Sequence, residues 1–188
     1  MKIKHSTRAH ALLSASGAPR WLNCTPSAKL EDEYGERKSS PFAEEGTLAH
    51  ELAELYLRKD VLQDIRDAEF EAKLSEIMEH KLFKEEMLDC VPIYTDYCAD
   101  EYASAKLTSD LAIIEIEQRL DLTEFIPDSF GTADCVIIKD DVMQVIDLKY
   151  GKGVAVQAEW NKQLMLYGLG ALRKYDTMYD IKEVMLTI

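Results

Sequence analysis

Two aspartates and a lysine interrupt an otherwise aliphatic stretch, "GTADCVIIKDDVMQVIDLKYGKG", residues 131–153. Asp134 and Asp147 each break a run of β-branched and aliphatic residues, and Lys149 follows two places after the second. Held together, two carboxylates and an ammonium resemble a ligand set for Mg²⁺ or Mn²⁺, hard ions that prefer carboxylate, carbonyl and water. Taken alone, D-L-K is a common tripeptide, and a solvated sheet face bearing Asp, Asp and Lys accounts for it better.

The element that must position these groups is a hairpin. Strand side chains alternate with period two, which puts Asp147 and Lys149 on one face and Leu148 on the other. Asp134 joins them if the turn is even: a two-residue Asp140-Asp141 loop sets Lys139 against Val142 and Asp134 opposite Asp147. An odd loop separates the carboxylates to opposite faces. In the even register the like charges destabilise each other and call for a cation.

Around the hairpin, residues 1–41 read as irregular, punctuated by Gly17, Pro19, Pro26, Gly35 and Pro41. A helix is expected from Pro41, capped by Ser40, with Glu44 and Glu45 complementing its dipole. Residues 64–89 are helical by composition, and a further helix over 92–107 is separated from them by a break near Pro92. From residue 111 the texture changes. "LAIIEIEQRLDL" has strand character with imperfect alternation around Glu115, Glu117 and Arg119, and "FIPDSF" is a loop. The hairpin follows, then a helix over "NKQLMLYGLGALRKY" and an apolar strand "IKEVMLTI". This order predicts an α/β fold with a mixed sheet, its last crossover a βαβ unit. One domain over 1–188 is expected, with 1–110 mainly helical and 111–188 the sheet core. The apolar strand running to Ile188 leads to the expectation that the chain is a fragment truncated at its C-terminus.

Of 188 residues, 47% are hydrophobic, enough for one real core, while 35 acidic and 22 basic side chains leave a net charge of −13. Such a surface does not favour nucleic acid in general, because phosphate binding is driven by Lys and Arg displacing counterions; a local basic patch or bound metal ions must supply the attraction. No apolar stretch is long enough to span a bilayer, and the short "ALLSASGA" near the start does not make a signal peptide. Cys24, Cys90, Cys98 and Cys135 form no C-x-x-C pair and fit reduced thiols of a cytoplasmic protein.

Other polar residues keep the hairpin company. Gly46, His50 and Glu54 recur at helical spacing, with Gly46 permitting close backbone approach, and Gln163 and Tyr167 share a helix face. Each alone is better explained as ordinary helix polarity. In the order G-x-x-x-H, G-x-x-D, D-x-K, Q-x-x-x-Y, however, the set resembles the RecB-like branch of the PD-(D/E)XK nuclease superfamily. The segments "RWLNC", "EEGTLAHELAEL", "GTADCVII", "VIDLKYGKG" and "NKQLMLYGLGAL" are similar to a phage and prophage family within that branch.

The resemblance implies a restriction-endonuclease-like core, a mixed central sheet flanked by helices, with an N-terminal helical region carrying the histidine. It implies that His50, Asp134, Asp147 and the backbone carbonyl of Leu148 hold Mg²⁺ or Mn²⁺. Asp134, Asp147, Lys149, Gln163 and Tyr167 then carry out phosphodiester hydrolysis on DNA, with Lys149 serving the water and Gln163 and Tyr167 the strand or the surrounding site. Glu117 has a less certain place. Phage recombination or replication proteins are the implied partners, and no membrane. Iron–sulfur members of this branch carry one cysteine upstream of the core and three downstream; Cys24 stands near the upstream position, but the downstream set is absent, so no iron–sulfur cluster is expected in this chain. Two further readings compete: a catalytically silent DNA-processing partner or scaffold that keeps the fold, and an acidic interaction protein docking through residues 64–107.

Overall fold

The computed structural model describes residues 11–34, 40–151 and 155–188. The first ten residues of the segment expected to be irregular, and Lys152 and Gly153 beyond the D-x-K motif, lie outside the described residues. Two short helices, α1 (Ala18–Asn23) and α2 (Pro26–Tyr34), replace much of the irregular region expected before residue 41. Pro19 and Pro26 lie in their first turns, where a missing N–H costs nothing, so these prolines start helices here.

Helix α3 (Pro41–Leu57) begins as its sequence dictates: the Ser40 hydroxyl accepts from the Ala43 N–H at 3.2 Å, and Pro41 opens the first turn. It buries Leu48, Ala49, Leu52, Ala53, Leu55 and Leu57, and runs on into a π-helical turn over Arg58–Leu62. The helix expected over 64–89 is two pieces. Helix α4 (Asp67–Glu79) ends at His80, and α5 (Glu86–Thr108) starts after a short linker. The chain therefore breaks at 80–85, and Pro92 sits inside α5 without ending it. Tertiary contacts decide this. In the linker, Leu82 and Phe83 pack on the helical core, and the Lys84 ammonium meets both oxygens of buried Glu45 on α3 at 2.6 Å. Local propensity is overridden.

The sheet holds four strands in the order β1 (Ile113–Asp121), β2 (Phe130–Lys139), β3 (Val142–Ile146), β4 (Glu183–Thr187). The first three pair antiparallel and β4 lies parallel to β3, reached through α6 (Lys162–Tyr179). The fold is thus α/β with a mixed sheet. Lys139 pairs with Val142, so the hairpin turn is Asp140-Asp141, with Asp140 in the left-handed region at φ 52°. The even register is the one present. Helix α6 is capped by the Asn161 side chain, which accepts from the Leu164 N–H at 3.0 Å.

Two apolar layers sandwich the sheet. Val136, Ile138, Met143 and Val145 pack with Leu164, Ala171 and Tyr175 of α6. Cys135, Ile137 and Ile146 pack with Leu57, Cys98 and Ala105 from the α3–α5 side. The α3–α5 helices form their own core with Leu148 inserted from the end of β3. Aliphatic runs buried on both sides in this way read as unbroken hydrophobic stretches, and the polar interruptions Asp134, Gln144 and Asp147 are buried with them, so each needs a partner.

Candidate metal centre

A gap in the β1–β2 ladder creates the site. Ile116 pairs with Cys135 and Gln118 with Ala133, while the facing residues between them, Glu117 and Asp134, are left out of the pairing. Glu117 has φ 47°, a left-handed backbone that a glutamate adopts only at a cost of about 1–3 kcal/mol. The distortion turns its carboxylate toward Asp134 and His50. One ligand atom from each of His50, Glu117 and Asp134 lies within 4.8 Å of the others. His50 arrives from the middle of α3, its Nδ1 3.3 Å from Asp134 Oδ1.

Asp134 is anchored on its other oxygen. Oδ2 accepts the Leu148 N–H at 2.7 Å, which ties β2 to the chain leaving β3. The Leu148 side chain meanwhile is buried among the α3–α5 helices, leaving its backbone at the site. Asp147, one step past the Cys135–Ile146 pair, continues the register opposite Asp134. Its own N–H donates to the Thr187 carbonyl on β4 at 3.0 Å. Lys149 Nζ is ion-paired with Asp147 Oδ2, and Gln163 Nε2 donates to Asp147 Oδ1 at 3.3 Å. Gln163 donates as well to the Tyr167 hydroxyl at 2.9 Å, so α6 presents both side chains to the carboxylate.

Crowding of acids leaves an electrostatic signature. Burial, then the charge of Asp134, pushes the Glu117 carboxyl up to about 7, partly offset by His50. Asp147 is raised for the same two reasons, with Lys149 and His50 pulling the other way. Burial alone lowers the His50 pKa, but its hydrogen bond to Asp134 and the charges of Asp134 and Glu117 outweigh that and raise it. Desolvation holds the Tyr167 phenol up and therefore protonated. Negative charge at this site is under-compensated by the protein alone. A donor set of carboxylate oxygens with one imidazole is one that a divalent cation could occupy.

Every residue the sequence proposed for the site falls on this network. His50 and Asp134 belong to the three-residue group, Leu148 bonds Asp134 through its N–H and not through the carbonyl expected as a ligand, and Asp147, Lys149, Gln163 and Tyr167 form the adjoining chain. Glu117 is the residue the sequence undervalued; the run Glu117-Gln118-Arg119, three polar residues in a strand that should alternate, was its signal. Two further details differ from expectation. A methyl group added at Gly46 would meet nothing within 4 Å, so no close backbone approach explains that glycine. Glu54 sits 3.8 Å from Arg58 and remains outside the group of three. Gly131, by contrast, is demanded: a Cβ there would stand 2.6 Å from Tyr167 Cε1. Of the cysteines, Cys24 and Cys90 are exposed, while Cys98 and Cys135 are buried together between α5 and β2.

No described helix is long and apolar enough to cross a membrane. A family model described as "Protein of unknown function (DUF2800)" matches residues 10–188, and the chain belongs to that family.

Proposed function

We propose that this member of the DUF2800 family is a divalent-metal-dependent deoxyribonuclease of phage or prophage type, built on the RecB-like form of the PD-(D/E)XK core. The observation that carries the reading is the convergence of His50, Glu117 and Asp134 within 4.8 Å, beside the Asp147–Lys149–Gln163 chain. A lone D-x-K on a sheet face would not need a histidine from a helix 84 residues upstream of Asp134 or a strained glutamate from a neighbouring strand.

In this reading His50, Glu117, Asp134 and Asp147 hold the cation, with the Leu148 backbone beside them. When bound, the ion supplies Lewis acidity for activating water and neutralises charge on the scissile phosphate. Lys149, fixed on Asp147 and one-third exposed, orients the attacking water and stabilises charge developing on the phosphate oxygens. Gln163 holds the Asp147 carboxylate in place, and the protonated Tyr167 hydroxyl in turn fixes Gln163. Leu148 buries its side chain so that the strand end cannot swing out of register.

The charge of −13 favours a second reading, a catalytically silent partner in DNA processing that keeps the core for binding. Purified protein with Mn²⁺ and labelled single- and double-stranded DNA separates the two. Cleavage that disappears in chelator and in Asp147→Asn supports the enzyme; cleavage unchanged in excess chelator counts against it.

A further inference from the structure

The metal group continues into a cleft. Two residues along both strands from Glu117 and Asp134 stands the cross-strand pair Arg119 and Thr132, about 7 Å away at the rise of a β-strand. There the chain before α1 comes over the sheet and encloses a cavity of 190 Å³ lined by Ser14, Ser16, Arg119, Phe130, Thr132 and Tyr167. Tyr167 is shared, since its hydroxyl bonds Gln163, which bonds Asp147. The cleft and the carboxylates are neighbouring compartments of one surface.

Its chemistry is unusual for so acidic a chain. Arg119 is exposed, and its guanidinium lies 3.6 Å from the centroid of the Phe130 ring. At that separation the cation is in face contact with the ring, and although the Asp121 carboxylate two residues along the strand shares its charge, the exposed guanidinium has its other face to offer a ligand. Hydroxyls of Ser14, Ser16 and Thr132 stand around it. A flat cationic platform with several small donors suits a group that combines a planar ring with phosphate: a nucleotide.

We propose that this cleft binds a single unpaired nucleotide of a single-stranded DNA, its base stacked on the Arg119–Phe130 platform, next to the phosphate held at the metal centre. The proposal rests on the nuclease reading for its partner at the metal centre. Unpaired substrate follows from the geometry, because a base inside a duplex keeps its faces against its neighbours and cannot reach the platform. The charge balance points the same way: a duplex presents a denser row of phosphates to a surface of net charge −13, whereas a single strand offers bases for stacking at lower charge density.

The test measures binding without turnover. Fluorescence anisotropy of a short fluorescein-labelled oligothymidylate, and of a duplex of equal length, is followed in Ca²⁺ with wild type, Arg119→Ala, Arg119→Lys, Phe130→Leu and Arg173→Ala. Arg173 pairs with Glu124 and serves as a same-charge control. The expected result is tighter binding of the single strand by wild type and about 5- to 100-fold weaker binding by Arg119→Ala, the range for losing one base stack. Phe130→Leu and Arg119→Lys should fall in between, and Arg173→Ala should match wild type. Unchanged Mn²⁺-induced melting shifts in the cleft variants show that fold and metal centre survive. Cleft variants that bind like wild type, or a wild type that prefers duplex, overturn the proposal. Absence of Mn²⁺-dependent cleavage by wild type defeats the nuclease reading instead, and the anisotropy series still judges the cleft.

Discussion

Glu117→Gln should make the metal-free protein more stable above neutrality, the opposite of what removing a structural ion-pair partner does. The Glu117 carboxyl is moved from the usual glutamate value of 4.5 to about 7. Because the folded-state pKa is the higher one, the folded protein binds more protons between those values, and its stability falls as pH rises through the interval. Fully buried, such a carboxyl would resist ionisation by about 3 kcal/mol; solvent access to this partly buried side chain reduces the cost to roughly 1–2 kcal/mol. Glutamine keeps the shape and removes the titration. Chemical or thermal melts in chelator should therefore coincide for the two proteins near pH 4.5 and diverge by about 2–8 °C near pH 8, the variant melting higher. Asp147 and His50, both raised, contribute slopes of the same sign, and because the Glu117 charge helps raise His50, the difference between the curves reports Glu117 together with its coupling to His50. With Mn²⁺ wild type should recover the deficit by binding the ion to the folded state, and the variant should gain less. A variant that melts below wild type at pH 8 in chelator would refute the argument, because the carboxylate would then be a stabilising partner.

Four other outcomes follow from the same geometry. On the nuclease reading, Asp147→Asn should lose cleavage while its metal-free melt stays at or slightly above wild type; Lys149→Ala should also lose cleavage yet keep most of the Mn²⁺-induced stabilisation, since that reading has the lysine serve the water. Gly131→Ala should cost about 1–3 kcal/mol in denaturant melts, because the added methyl group overlaps the Tyr167 ring, and a wild-type melt would show that the ring moves freely. Mn²⁺ should bind more tightly than Mg²⁺ in calorimetric titrations, with Ca²⁺ bound but inactive, as a site with one imidazole among oxygens prefers; equal Mg²⁺ and Mn²⁺ affinities would exclude His50 as a ligand.

The parts legible in the sequence were those fixed by local periodicity. The hairpin register followed from alternation and an Asp-Asp turn, and the Ser40–Pro41 start of α3 from cap chemistry. His50 had no local mark to distinguish it from a surface histidine, and only its order among the other motifs singled it out. What could not be read depended on distant partners. The break at 80–85 is made by Lys84 reaching Glu45 and by Leu82 and Phe83 entering the helical core, none of which alters the helical composition of the segment. Glu117 owes its place to an inverted backbone angle opposite Asp134, a feature of two strands together. Pro19 and Pro26 were read as breakers because proline ends a helix interior and opens a first turn equally well.

The hydrogen bond from the Asp147 amide to the Thr187 carbonyl has a consequence for the order of events during synthesis. A ribosome delivers His50, then Asp134, then Asp147 and Lys149, and all the site's side chains exist once Tyr167 has been made. The strand that clamps the Asp147 backbone is made later still, and parallel pairing of β4 with β3 must wait for the whole α6 crossover to fold back. A nascent chain therefore carries the complete set of chemical groups before it carries the frame that aligns them. If the chain is the nuclease proposed above, its aligned site forms only once β4 has been made and has paired with β3.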